Sequence, residues 1–556
     1  MLSRRSVVFA GTILLLFSLY GCSVMENLNS LMVIDQVETT GFTIEETNIT
    51  DSGPVPGGTL NVYTDYIDNL NPLFTKNENL MDHYSLVFSS LFKVDASGNL
   101  IPLLAEKWQF AEDMTSLIIT MKDDISWHDG NRFTAADVEF TLDTIKLKDV
   151  NQKYKDRLLN VSGYTVIDSN TLKIVLKEAD PFILYKLNFP IIPMHFYRYA
   201  DPGREKSMAP GTGLFTFEKY EEDSGIVLQR FRNKTEYEIS DSEEPVTGIE
   251  QVHIKIINDK TPLEALLVRE VDIIKIRSNK FAGYENRTDA NIYEYTCLDC
   301  EMIVCNTEDN IIGSANVRKA ISLMIDRDKI ISEVLGRKAE KIEVPLNNKM
   351  WIANRATVPA TSLQKAMELL EADGWAKEDG VLVKRINGRK TTFKIELLVN
   401  IENFERVQEA YLIKEDLEKA GVEVVVTELT WPDLYENMKR KKFQLALTGY
   451  RIPEIPNPYP LYTGVNAGEQ SVVAGNFSGY SNPELDELAR TLKISPSISK
   501  QRFIMGEIMD IISNDVPYIG ICIRKEAVLV RRKVRGSIDP YYLDMYNCID
   551  SWYLIE

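Results

Sequence analysis

The run WHDGNRFTAADVEFTLD, Trp127 to Asp143, is the most informative stretch of this 556-residue chain. Asp129-Gly130 is a tight-turn dipeptide between strand-like ends. Thr134 is placed to cap a helix, with Asp137 three residues on in the manner of a Thr-x-x-Glu capping box. The local pattern therefore reads as a turn feeding a capped helix rather than as a His128–Asp129 catalytic or metal pair.

Working outward, further phrases fall on either side of it in a definite order. GNLIPLLAEKWQFAEDM (Gly98 to Met114) precedes it. APGTGLF (Ala209 to Phe215), CNTEDNIIGSANVRKAISLMIDR (Cys305 to Arg327), FSGYSNPELDEL (Phe477 to Leu488) and DVPYIGI (Asp515 to Ile521) follow. Taken together, W-H-D-G-x-x-F-T-A-x-D-V and these five phrases resemble the family 5 extracellular solute-binding proteins, the peptide- and nickel-binding components of ABC importers. Leu214 stands where the family's G-T-G turn usually has Pro. The resemblance covers about residues 57 to 540.

Most of the shared residues read as scaffold. In NVRKAISLMIDR, Val317, Ala320, Ile321, Met324 and Ile325 fall on one helical face. The GTG turn lacks the G-x-x-x-x-G-K-[ST] spacing of a phosphate loop. No G-x-S-x-G elbow occurs, and the four histidines, His83, His128, His195 and His253, form no HExxH. Enzymatic chemistry has little purchase.

From Gly58 onward, β-rich runs alternate with amphipathic helical stretches, the pattern of an α/β protein. TLNVYTDY (Thr59 to Tyr66) reads as an opening strand. LMDHYSLVFSSLFKVD reads as a helix through Leu80, Tyr84, Val87, Phe88 and Leu91, and TLKIVLKE (Thr171 to Glu178) as a half-buried strand. Thr391–Val399, Val422–Leu429 and Phe443–Tyr450 read as strands. Between them lie a helix with Phe404, Val407, Tyr411, Leu412 and Leu417 apolar, ending at Gly421, and a helix at WPDLYENMKR with Pro432 in its first turn. Such a strand–helix–strand–helix–strand run implies parallel pairing with right-handed crossovers.

The composition agrees with a soluble exported protein. Hydrophobic content of 44% and charged content of 26% are ordinary for a globular chain. A net charge of −19 argues against nucleic acid, which needs a basic surface. Arg4 and Arg5, an apolar run from Val7 to Tyr20, and LYGC ending at Cys22 describe a secretory signal. The last four residues resemble a lipobox, in which Cys22 becomes the lipidated first residue; an uncleaved N-terminal anchor is the alternative. Ser23 to Pro56 is polar and reads as a flexible tether.

The resemblance implies a two-lobed, periplasmic-binding-protein-like α/β fold with a hinge and an interlobe cleft. The expected divisions are a signal peptide over 1–21, lipidated Cys and tether over 22–56, and lobe I over 57–295 with an inserted subdomain. Lobe II then covers 296–518, and 519–556 return to lobe I. The implied function is extracellular capture of a peptide or related solute by a lipid-anchored monomer on the bacterial membrane. Delivery would be to the permease and ATPase subunits of an ABC importer, with no cofactor and no catalytic step. A ligand-sensing receptor for signalling, a nickel-chelate binding protein and a hydrolase or chaperone on the same fold are the rivals.

In peptide-binding members of the family, a strand ending in G-W-x-x-D-Y carries the Asp that captures the peptide's α-amino group. This chain reads GYRIPEIPNP, Gly449 to Pro458. Tyr450 replaces the Trp, and Pro453 or Glu454 holds the Asp position, which puts ordinary amine capture in doubt. Arg451 is a candidate anion anchor; Asp65, Tyr66 and Trp431 are cleft candidates by position. With no His cluster, any metal is expected to arrive chelated.

Three of six cysteines sit in CLDCEMIVCN, Cys297 to Asn306. On a strand Cys297 and Cys305 share a face while Cys300 points away, which opposes a Cys297–Cys300 disulfide unless Leu298-Asp299 turns. A metal site would need a fourth ligand such as Cys522 or Cys548 and lacks a second C-x-x-C. Free or structural thiols are the favoured reading, and five of them on an exported chain suggest a reducing habitat.

Overall fold

The computed structural model describes residues 57–199, 201–203, 207–232, 248–277, 284, 287–353, 356–462 and 475–555. The signal and tether expected over 1–56 lie outside them. No helix among the described residues is long and apolar enough to cross a membrane.

The opening strand Thr59–Thr64 pairs in parallel with Gln251–Ile256, and Gly225–Arg230 and Phe215–Glu221 complete a four-stranded sheet. A second, antiparallel four-stranded sheet holds Ala105–Phe110, Ser116–Met121, Thr171–Leu176 and Val161–Asp168. Thr171–Leu176 alternates between exposed and buried positions as its sequence requires. The helix Ala135–Leu147 contacts this second sheet through Val138, Leu142 and Ile145. The expected capping box is there: the Thr134 N–H donates to Asp137 Oδ2 at 2.9 Å.

The WHDG turn and the GTG turn pack on each other. The His128 ring donates from Nε2 to the Gly213 carbonyl at 2.9 Å and accepts at Nδ1 from the Gly211 N–H at 3.1 Å. Burial lowers its pKa, in keeping with this neutral tautomer. His128 is thus a structural tie. Gly211 and Gly213 are required by close approach: an added Cβ would lie 1.9 Å from the Val87 carbonyl oxygen and 2.4 Å from that of Leu86.

A seven-stranded sheet forms the other half. Lys394–Asn400 pairs in parallel with Glu423–Leu429 and Leu445–Arg451, as the alternating run of strands and helices implies. Apolar clusters cover both faces. Ile303, Cys305, Leu397, Leu445 and Ile521 face the helices Ala315–Met324 and Phe404–Lys419. Cys300, Met302, Val304, Leu398 and Ala446 face Trp431–Lys439 and Ile498–Asp515.

Two long antiparallel strands join the halves: Ala290–Cys305 and Tyr518–Arg531. Tyr295, Val528 and Val530 belong to the core of the first half, whereas Ile303, Cys305 and Ile519 belong to the second. Between Thr296 and Cys300 the register shifts, because four steps on one strand oppose the two steps from Lys525 to Ile523 on the other. CLDC is therefore a bulge in the connecting ribbon.

Several elements depart from expectation. The helix at Glu78–Tyr84 stops before Val87, since the Leu86 and Val87 carbonyls turn to accept from Phe215 and Gly213. Thr391–Val399 is two strands, Arg389–Thr392 of a hairpin and Lys394–Asn400 of the main sheet. On Phe404–Lys419, Phe404 and Tyr411 are exposed while Arg406, Glu409 and Asp416 go inward.

Candidate functional site

A cavity of about 560 Å³ opens where the bulge meets the first half. Met81, Ser85 and Phe88 border it from the segment around Glu78–Tyr84, and Tyr154 and Arg157 from the helix Gln152–Arg157. Cys297 and Leu298 come from the bulge, Arg451 and Glu454 from the end of Leu445–Arg451, Glu526 from the return strand, and Tyr542 to Met545 from the C-terminal segment. Its wall mixes apolar surface with many charges.

Most of those charges are paired. Arg157 donates to Glu454 at 2.5 Å and to the Asn188 carbonyl at 2.6 Å. Lys275 and Arg277 share Asp82 at 3.3 and 3.5 Å, and Arg277 also meets Glu78. Arg451 reaches Asp299 at 3.0 Å across the paired strands. Glu526 differs: it accepts from the Tyr295 hydroxyl at 3.0 Å and has no ion pair among the described residues. Burial, the largest influence, raises its pKa against the pull of Lys275 and Arg277.

The halves also meet away from the ribbon. Trp351 donates from Nε1 to the Gly98 carbonyl at 2.9 Å, and Arg502 donates to Asn99 at 2.6 Å.

Of the residues expected from sequence, Arg451 and Glu454 border the cavity and the other four do not. Asp65 and Tyr66 are exposed just past the opening strand. Trp431 begins its helix, half-buried, with its N–H donating to Glu402 at 3.0 Å. Tyr450 is buried beside its register partner Cys300 in the core of the second half. Sequence reasoning missed Arg157, Lys275, Arg277 and Glu526. For Glu526 a signal existed: Arg524-Lys525-Glu526 is a charged triplet inside the otherwise apolar strand GICIRKEAVLV.

All five cysteines from 297 onward are free, with only Cys548 exposed. Burial pushes the Cys297 and Cys305 thiols up to about 12 and raises those of Cys300 and Cys522 well above the ordinary value. Buried thiols held protonated in this way are poor nucleophiles.

Residues 99–471 match the model of the bacterial extracellular solute-binding proteins, family 5 middle region. The chain is 25% identical to the oligopeptide-binding protein AppA of Bacillus subtilis, over 87% of this chain and 89% of that one. It is 23% identical to the nickel-binding protein NikA of Staphylococcus aureus, over 83% and 89%. Its fold matches that of an ABC transporter substrate-binding protein from Sinorhizobium meliloti with a TM-score of 0.72 at 17% identity, covering 90% of this chain and 100% of the other. The architecture is the two-lobed α/β fold of periplasmic binding proteins.

Proposed function

Because the chain belongs to the bacterial extracellular solute-binding proteins of family 5, we propose that it captures a peptide or related small solute in the cavity beside Arg451 and delivers it to an ABC importer. The observation that carries this reading is the cavity itself. At about 560 Å³ it falls within the roughly 300–1,000 Å³ of small-ligand sites, and it is bordered from both halves. Its dense charge suits a zwitterionic solute better than an apolar one.

In this reading residues 57–295 act as lobe I with its inserted subdomain, 296–518 as lobe II, and 519–556 as the return to lobe I. Closure brings Arg157 onto Glu454, so Glu454 serves as a latch rather than as the amine-capturing carboxylate of peptide-binding relatives. Among the described residues Arg451 is held only by a pair with a half-exposed Asp299, which a ligand carboxylate can replace at little cost. Cys22 carries the lipid that holds the monomer at the membrane beside its permease. The reading assigns no chemical step.

Native mass spectrometry of the chain purified without denaturation tests the ligand class. A ladder of peptide masses supports it; a lone chelated metal or a sugar overturns it.

A further inference from the structure

We propose that the captured solute is an acidic peptide, with one carboxylate on Arg451 and an extra one between Lys76 and Lys153, so that its negative charge bridges the two halves. This deepens the capture reading and rests on it.

The pairing of charges around the cavity leaves a cationic surplus. Glu454 is engaged by Arg157, Glu78 and Asp82 by Arg277 and Lys275, and Asp544 by Lys93 at 2.8 Å. Glu526 holds its proton more firmly than a free carboxyl, because burial outweighs its cationic neighbours. Lys76 and Lys153 border the same space, and neither has a carboxylate within ion-pair reach among the described residues. Lys153 lies 5.0 Å from the centre of the Tyr154 ring, a contact that leaves its charge in place. The chain has 82 acidic residues against 63 basic ones, so a cationic surplus at its cavity opposes the field of its own surface. Complementarity then selects an anion.

The backbone holds the two lysines on one wall. Lys76 lies two residues before the helix Glu78–Tyr84, and its N–H donates to Asp68 at 2.7 Å. The Thr75 hydroxyl donates to the other Asp68 oxygen at 2.5 Å, and Asp68 does not border the cavity. Lys153 belongs to the helix Gln152–Arg157. The side chain of its cap, Asn151, accepts from the Lys153 N–H at 3.1 Å and donates to the Thr75 carbonyl at 3.1 Å. Asn151 thus ties the segment of Lys76 to that of Lys153 within the first half.

Arg451 borders the cavity from the second half, and its pair with Asp299 has side chains 69% and 47% exposed. A ligand carboxylate displaces such a pair at little cost. A peptide with a carboxylate for each wall gains both contacts only when the halves are together, which is the differential interaction that closure requires. A peptide with one carboxylate has none left for the second wall.

Calorimetric titration of the chain, after removal of its native solute, with Ala-Glu-Ala, Ala-Gln-Ala and Ala-Lys-Ala as probes tests this. Ala-Glu-Ala is expected to bind about ten-fold tighter than Ala-Gln-Ala, with Ala-Lys-Ala the weakest. The gap closes in the double variant Lys76→Gln, Lys153→Gln and survives in Lys76→Arg, Lys153→Arg. Both positions are exposed, so the melting temperature stays unchanged in each variant. Equal affinity for the Glu and Gln peptides, or a gap that persists in the glutamine double variant, overturns the inference and leaves capture standing. Failure of all three probes to bind overturns peptide capture and this inference with it.

Discussion

The Arg157 guanidinium donates to the Glu454 carboxylate at 2.5 Å and so joins the helix Gln152–Arg157 to the segment after Leu445–Arg451, at the wall of the cavity that both border. A contact made in one arrangement of two halves and absent from another biases the balance between them by its own free energy. Glu454 is 41% exposed, so solvent screening holds the pair to about 1 kcal/mol. Arg157→Ala is therefore expected to weaken solute binding about five-fold, mainly through faster release. Stopped-flow dissociation measures it, and an unchanged off-rate removes the pair from the closing mechanism.

The mutual packing of the WHDG and GTG turns makes a second prediction. In Gly211→Ala the new Cβ would sit 1.9 Å from the Val87 carbonyl oxygen, against backbone that cannot retreat cheaply. A loss of at least about 2 kcal/mol in unfolding free energy is expected. Urea denaturation with an unchanged midpoint would show that the two turns are only adjacent.

At the ribbon, Glu301 is almost fully buried and accepts from Arg406 at 2.7 Å and from Arg524 at 2.9 Å. Its two arginines hold the carboxyl below its ordinary range despite burial. Glu301→Gln removes the charge that both guanidinium groups share, while Arg524 keeps Glu405 at 2.6 Å and Arg406 keeps the Asn400 side-chain oxygen at 2.6 Å, so the cost falls at the lower end of the about 3–5 kcal/mol of a broken buried pair. A large drop in melting temperature is expected; less than about 1 kcal/mol by denaturant titration would mean the cluster is solvated.

Glu409, in the same cluster, behaves in the opposite sense. It is fully buried, neither carboxyl oxygen has a hydrogen-bond partner among the described residues, and Arg524 stands 4.0 Å away. Burial, then the neighbouring Glu301, pushes its pKa well above the usual range. Folding thus takes up a proton at any pH between the unfolded value of about 4.3 and the raised folded value, and stability falls as pH rises through that window. Glu409→Gln removes the dependence: it should match the wild type near pH 4 and exceed it increasingly toward pH 8. Melting curves that stay parallel across this range would place the carboxylate in an ionised, paired state.

How much of this was legible in the sequence depended on whether one local pattern decided the outcome. Phe443–Tyr450 reads correctly as a strand because its apolar stretch Leu445–Leu447 is buried on both faces, and Val422–Leu429 because its valine-rich run favours a strand, here at the sheet edge; both pair in parallel. The helical reading ran past Tyr84 because Val87 and Phe88 are buried at helical spacing, while their backbone is claimed by a loop far along the chain. The apolar face of Phe404–Lys419 was misjudged because Arg406 and Glu409 turn inward toward Glu301 and Arg524, partners that local periodicity does not contain.

The site divides the same way. Arg451 and Glu454 were found by their position at the end of a recognisable strand. Tyr450, one residue earlier, faces the opposite side of the sheet and is packed in the core. The convergence of Cys297 with Glu526 needs the register of the two connecting strands, which no single window of sequence carries.

Solute captured inside this cavity must share its space with whatever side chain stands at Ser85. Ser85 is exposed on its border, and its hydroxyl bonds the Asp82 carbonyl of its own turn, so Ser85→Trp can place an indole in the cavity at little cost to folding. The decisive measurement is calorimetric titration of wild-type and Ser85→Trp chains with the solute released from the native protein. Tight one-to-one binding to the wild type is expected, with at least about 100-fold weaker binding to the variant, a difference near 2.7 kcal/mol, at an unchanged melting temperature. Equal affinity for both chains would contradict capture in this cavity.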